Sequence, residues 1–121
     1  MSAYTPAETV SRSGFSLETL RYYERIGLLD DIRRTSGGRR IFDDEDLDWL
    51  GVLRCLRDTG MPIATMRRYA ELARGGGETM AERLALLRAH AAQVEQTVRQ
   101  LREQQAHLTE KIGWYAQQIE R

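Results

Sequence analysis

From Leu84 to Ile119 the chain places an apolar residue at alternating steps of three and four: Leu84, Leu87, Ala91, Val94, Val98, Leu101, Gln105, Leu108, Ile112, Tyr115 and Ile119. Only Gln105 is polar, and neither glycine nor proline interrupts the run before Gly113. Such steps align the side chains in one narrow stripe of a helix, and a stripe sustained for heptad after heptad argues for a coiled coil. About 40 helical residues at ~1.5 Å each make a rod roughly 60 Å long. One such helix cannot bury its seam against the small domain that precedes it, so the pattern predicts a homodimer with these residues as the dimerisation surface. The competing reading is a helix folded back along its own domain. Gln105 costs stability in the seam but can fix register and strand number.

The rest of the chain is punctuated more densely. Thr5-Pro6-Ala7-Glu8 reads as a capping box with proline at the first helical position, predicting a helix to about Ser13. Gly14 breaks it, Ser16 caps a second helix carrying LRYYERIGLL (residues 20–29), and Gly27 stops that one. Two short helices around a glycine-containing turn form a helix-turn-helix candidate. The segment IRRTSGGRRIF (residues 32–42) has Gly37-Gly38 between two short flanks, which predicts a hairpin or wing. Asp43 caps a third helix to about Asp58, on which Trp49, Val52, Leu53 and Leu56 share a face. Gly60 ends it, Pro62 opens a fourth helix, and Gly75-Gly76-Gly77 marks a hinge. Thr79-Met80-Ala81-Glu82 reads as the capping box of the long helix. The expected fold is all-α with a small β wing. A winged helix-turn-helix domain over residues 1–74 is joined by a hinge at 75–78 to a dimerisation helix over 79–121.

Charge bears on function only through its distribution. Lys+Arg and Asp+Glu both number 18, so the total gives no sign of a polyanionic partner. Yet Arg33, Arg34, Arg39 and Arg40 fall within residues 32–42 without an acid, beside five acids between Asp43 and Asp48. A basic patch next to an acidic helix start is what phosphate would meet, because local charge governs the encounter. The acids themselves suit a helix N-terminus. No apolar run approaches the roughly 20 residues of a membrane span. The N-terminus lacks the apolar stretch of a signal peptide, so a soluble cytoplasmic protein is expected.

RYYERIGLL, an arginine wing ending Gly-x-Arg-x-Phe, and a long terminal helix together resemble the MerR family of bacterial transcription regulators. The likeness runs over residues 4 to about 74 by motif and 79–121 by architecture. It implies an antiparallel coiled-coil homodimer on a pseudo-palindromic operator in an over-long promoter spacer. It further implies activation by bending and untwisting that double-stranded promoter DNA, so that RNA polymerase engages both promoter elements. The resemblance carries over Arg21 as the arginine of the second helix, Tyr22 and Tyr23 as its aromatic pair, and Arg34 and Arg40 as wing contacts to phosphate. Ser16 and Thr19, at the start of that helix, and Arg39 complete the expected DNA-binding set. Tyr23 has an alternative, packing against the third helix. The chain departs from the family at Arg39 and Phe42, where tyrosine is usual. A cation replaces an aromatic at the first, and a hydroxyl is missing at the second.

Family members with large ligands carry a C-terminal effector domain, which is not expected in a chain ending at Arg121. Metal-sensing members place cysteines near the end of the dimerisation helix, and none stands there; His90 and His107 read as surface histidines, so no metal and no cofactor is expected. The single cysteine, Cys55, excludes an internal disulfide. By helix geometry it falls on the flank of the third helix's apolar face, and Arg54 and Arg57 beside it are cations of the kind that favour thiolate. WLGVLRCLRDTGM (residues 49–61) also resembles the aldehyde- and nitrosative-stress branch, AdhR/NmlR-like, which implies effector sensing by Cys55; the alternatives are an inert cysteine and a different signal. No acid-base or nucleophile constellation and no Gly-rich phosphate loop suggests an enzyme. A coiled-coil adaptor without DNA binding fits the rod equally well but leaves RYYE and the arginine wing unexplained.

Overall fold

The computed structural model describes residues 2–120. These fall into two compact units that divide between Arg83 and Leu84. The first contains β1 (Ala3–Tyr4), α1 (Pro6–Ser13), α2 (Leu17–Arg25), β2 (Arg33–Arg34), β3 (Arg40–Asp43), α3 (Asp44–Asp58), α4 (Ile63–Arg74), a 3-10 turn (Gly76–Thr79) and the start of α5 (Met80–Glu120). The second is the remainder of α5. No helix among the described residues is long and apolar enough to cross a membrane.

The helix starts are set by short-range chemistry. Thr5 and Glu8 form a reciprocal capping box on α1, and Asp43 and Asp46 form another on α3. Ser16 caps α2 by accepting from the Thr19 amide at 3.1 Å. Gly27, at φ +87°, lets the chain turn back so that the amides of Leu28 and Leu29 both reach the Tyr23 carbonyl. β3 is the central strand of a three-stranded antiparallel sheet, with β1 on one side and β2 on the other. Its outer pairing with β2 is the expected wing. The pairing of Tyr4 with Phe42 through β1 has no local signal in the sequence.

Phe15, Leu20, Leu28, Phe42, Leu50, Leu53 and Met66 form the centre of the core. The buried face of α3 is Leu50, Leu53 and Leu56, which shifts it from the expected stripe: Val52 is exposed and Trp49 only half-buried. The reason is that α3 packs on both α1 and α4, so the core lies to the Leu50 side. Trp49 covers the edge of this face by stacking on Tyr69, with centroids 5.6 Å apart and planes 10° apart. Its Nε1 donates to the Leu28 carbonyl at 2.7 Å.

α5 is one unbroken helix of 41 residues, and none of them is buried. Leu101, Leu108, Ile112 and Ile119 are 64%, 64%, 67% and 83% exposed, so within one chain most of the predicted seam stands open to water. The start of α5 differs from expectation. Thr79 does not cap it; its hydroxyl instead donates to the carbonyls of Leu72 and Gly76, closing the 3-10 turn that occupies the three-glycine segment.

Candidate nucleic-acid interface

The turn between α1 and α2 is held from α3. Gly14 adopts φ +78°, and Arg54 Nη1 donates to the adjacent Ser13 carbonyl at 3.0 Å. The positive φ favours glycine here, and a Cβ on Gly14 would lie 1.6 Å from that nitrogen, so a larger residue would also push the Arg54 guanidinium off the Ser13 carbonyl. One turn further along α3, Arg57 lies over the Phe15 ring at 4.6 Å. Asp58 ties the two guanidiniums together, at 3.3 Å from Arg54 and 3.0 Å from Arg57, and their hydrogen bonds hold its carboxyl below the usual carboxylate range. The helix-turn-helix is therefore braced by a small ionic cluster that sequence reading did not anticipate.

With its turn fixed, α2 presents a defined outer face. Arg21, Tyr22 and Arg25 are exposed, and the Arg25 guanidinium sits 5.4 Å from the centre of the Tyr22 ring. Ser16 and Thr19 stand at the start of the helix, and the Ser16 hydroxyl donates to Thr19 Oγ1 at 2.9 Å. Tyr23 turns the other way. It is 3% exposed, meets Phe15 edge-on at 5.3 Å, and burial pushes its phenol up in pKa. Of the two alternatives for Tyr23, the structure shows the core one.

The wing is fastened to α2 by a residue sequence reading passed over. Glu24 accepts from Arg40 Nε at 3.1 Å and from Arg40 Nη2 at 3.2 Å, and also from Arg34 Nη2 at 3.3 Å. Arg34 reaches across the wing tip as well, donating to the Gly38 carbonyl at 3.0 Å. One carboxylate shared by two guanidiniums leaves this cluster with a net positive charge. The signal was present in RYYE, whose acid lies upstream of the acid-free arginine segment 32–42, but Asp30 and Asp31 stand nearer in sequence and only the fold shows that Glu24 is the acid those cations meet. Arg33 pairs with Asp43 at 3.4 Å at the base of the wing. Arg39 is exposed, and its guanidinium has no ion pair or hydrogen bond among the described residues. Phe42, expected where a phosphate-contacting hydroxyl would be lost, is fully buried and serves the core.

Arg21, Arg34, Arg39 and Arg40 line one groove of about 770 Å³ between α1, α2 and the wing, floored by Pro6, Val10 and Leu17. An apolar floor with four guanidiniums around it suits a polyanionic backbone: the cations meet phosphate oxygens, and the apolar surface packs against sugar. The remaining predicted position, Cys55, lies apart from this groove. It is exposed and stands roughly 160° around α3 from buried Leu53, on the outer side and not on the flank of the core. The neighbouring guanidiniums that were expected to favour its thiolate are engaged with Asp58.

Comparison with known proteins agrees with this arrangement. Residues 4–72 match the model of the MerR HTH family regulatory protein, and residues 47–111 match that of the MerR DNA-binding region. The chain is 37% identical over 112 residues to an uncharacterised HTH-type transcriptional regulator of Haemophilus influenzae, covering 93% of this chain and 83% of that protein. The chain belongs to the MerR family. Its members are DNA-binding transcription regulators, and the helix-turn-helix and wing described above lie within the matched residues. The chain is also 35% identical over 81 residues to the transcriptional regulator AdhR of Bacillus subtilis, covering 67% of this chain and 58% of that one. Among solved structures, it is similar to HiNmlR, a MerR family regulator lacking the sensor domain, determined bound to promoter DNA. The TM-score is 0.89, with 35% identity over 96% of this chain and 92% of that one. A MerR family regulator from Listeria monocytogenes gives a TM-score of 0.83 at 35% identity, covering 90% and 83% of the two chains.

Proposed function

We propose that two copies of this chain bind one pseudo-palindromic operator in promoter DNA, each presenting α2 and the wing to a half-site. In this reading residues 1–74 are the DNA-binding domain and 79–121 the dimerisation helix. The observation that carries it is the groove itself, in which Arg21 and Arg39 have no partner among the described residues and Glu24 leaves Arg34 and Arg40 only half neutralised. Ser16, Thr19 and Tyr22 complete the contacts at the start and outer face of α2. A rigid dimer with two such grips pulls on DNA between them, and deformation energy becomes the switch that realigns the promoter for RNA polymerase. Promoter DNA as the ligand assigns the protein to the cytoplasm and to no enzymatic role.

The test is a gel shift on the promoter upstream of its own gene, repeated across salt concentrations. Arg40→Ala is expected to weaken binding and to lower the salt slope by about one unit. Unchanged binding and slope would remove the wing from the interface. A coiled-coil adaptor predicts no shift at all.

For the inducing signal, the reading is electrophile modification of Cys55. The thiol adds across an aldehyde C=O, sulfur bonding to the carbonyl carbon and the thiol proton passing to oxygen, so no oxidant is needed. The support is positional: Cys55 is exposed, and its neighbours Arg54 and Arg57 hold the turn that sets α2. An adduct that displaces these arginines would reach the DNA-contacting helix. Cys55→Ala is expected to abolish aldehyde induction of the promoter while leaving operator binding intact; full induction in that variant ends this part of the reading.

A further inference from the structure

A homodimer through α5, as proposed above, leaves open which residue of one copy faces which residue of the other. Symmetry narrows the choice. When two identical helices run antiparallel about a twofold axis, each edge of the apolar stripe keeps to its own side of the interface. Residues at the first position of the heptad therefore pack against fourth-position residues of the second copy, and each charged flank meets its own kind.

We infer that α5 pairs with a second copy in one register, centred between Arg99 and Gln100 and selected by two Glu95–Arg102 ion pairs across the dimer. This rests on the homodimer reading, taken with the antiparallel orientation that the family resemblance implies, and goes beyond both. Three observations converge. The centre of this register is the middle of the helix, so Met80 pairs with the partner's Ile119, Ala91 with the partner's Leu108, and Val98 with the partner's Leu101. Each of these side chains lies on α5 with none buried, and Met80 and Ile119 are 63% and 83% exposed. Sliding one helix past the other by a heptad, in either direction, leaves two apolar positions of each copy without a mate.

The second observation is size. Ala91, the smallest residue of the stripe, comes opposite Leu108, and Val98 opposite Leu101, so small and large alternate across the axis as close packing requires. The third is charge. The flank after the fourth position holds Arg88, Glu95, Arg102 and Thr109. In the centred register Glu95 meets the partner's Arg102 on both sides of the axis, and Arg88 meets the partner's Thr109. Slipping one way sets Arg102 against the partner's Arg102; slipping the other sets Glu95 against the partner's Glu95 and Arg88 against the partner's Arg102. Like charges placed together disfavour those alternatives, and the exposed opposite-charge pairs favour the centred register, each by a modest amount that the two symmetric sites double. Glu95 and Arg102 are both exposed, and neither has an ion-pair partner within its own chain among the described residues. Gln105 then comes opposite the partner's Val94, away from the axis and from its own mate.

The test is disulfide trapping in the full-length chain carrying Cys55→Ala. Positions 91 and 108 lie 17 residues apart, roughly 25 Å along one helix, so only two copies can bring them together. Mild oxidation of A91C/L108C is expected to give a covalent dimer, and oxidation of V98C/L108C, the pair that meets in the slipped register, to give little. The reverse pattern, or trapping of neither pair while sedimentation velocity still shows a dimer, overturns the register but not the homodimer. A wild-type chain that sediments as a monomer overturns the homodimer reading itself. Charge reversal supplies the second arm: Arg102→Glu is expected to weaken dimerisation about tenfold, with E95R/R102E restoring it. An Arg102→Glu variant as tightly dimeric as wild type overturns the ion-pair assignment.

Discussion

All the buried apolar side chains among the described residues lie between Phe15 and Leu72, whereas α5, the longest element at 41 residues, has none. The first unit satisfies its helices with its own core and with ionic braces such as Arg54 to Ser13. The second presents an apolar stripe of the same residue types with nothing from its own unit to cover it. Hydrophobic burial, not helix propensity, supplies most of the stability of helices in proteins. On the homodimer reading proposed above, the contrast is between two kinds of foldedness in one chain, one intrinsic and one that depends on a second copy.

The comparison can be broken most directly at the seam. Leu101→Glu places two carboxylates of the dimer near the centre of the stripe. It is expected to reduce dimer affinity by more than ~100-fold by sedimentation equilibrium, because a buried charge without a partner is strongly disfavoured. Operator affinity should fall with it; a variant that stays dimeric would mean the stripe is not the interface. In the first unit, Leu53→Ala removes a fully buried side chain and is expected to cost ~2–5 kcal/mol in urea unfolding monitored by circular dichroism. A loss below ~1 kcal/mol would contradict the core assignment.

Smaller effects separate positions within the first unit. Arg21→Ala and Arg39→Ala each remove a guanidinium without a partner among the described residues. Each is expected to lower the salt slope of operator binding by about one while leaving the unfolding midpoint unchanged. Loss of stability in either would show that the side chain holds the fold instead. Asp43→Ala, at the cap of α3, should cost ~1 kcal/mol at neutral pH. The amide hydrogen bonds of this cap hold the Asp43 carboxyl below its usual value near 3.8. Its contribution is therefore fully present above that pH and lost as pH falls through the lowered folded value. Unfolding measured from pH 7 into the acid range below 3.8 should show the gap between wild type and variant narrowing; a constant gap would mean the carboxylate charge plays no part.

How much of this was legible in the sequence follows the range of the interactions. Thr5, Ser16, Asp43, Gly14 and Gly27 act within one or two turns, and the helices begin and end where these residues predict. The wing turn and the unbroken α5 are local in the same sense. What escaped was non-local. β1 is two residues long and exists because β3 is beside it. Glu24 became a clamp only when the fold brought residues 34 and 40 to it, and the buried face of α3 moved toward Leu50 because α1 and α4 flank it. Thr79 matched a capping pattern but lies inside the 3-10 turn that leads into α5, where its hydroxyl donates to the Leu72 and Gly76 carbonyls. At the candidate interface, Arg21, Tyr22 and Arg39 belong to the expected DNA-binding set, and the structure leaves all three exposed. The burial of Tyr23 and the sharing of Glu24 by Arg34 and Arg40 required the tertiary packing.

The decisive measurement is binding of the wild-type chain to a promoter fragment containing both half-sites, against a fragment of equal length with one half-site scrambled. Two linked grips on one dimer predict a single complex containing two chains, bound to the intact fragment at least ~100-fold more tightly than to the scrambled one. Equal retention of the two fragments, or a complex containing one chain, would contradict it.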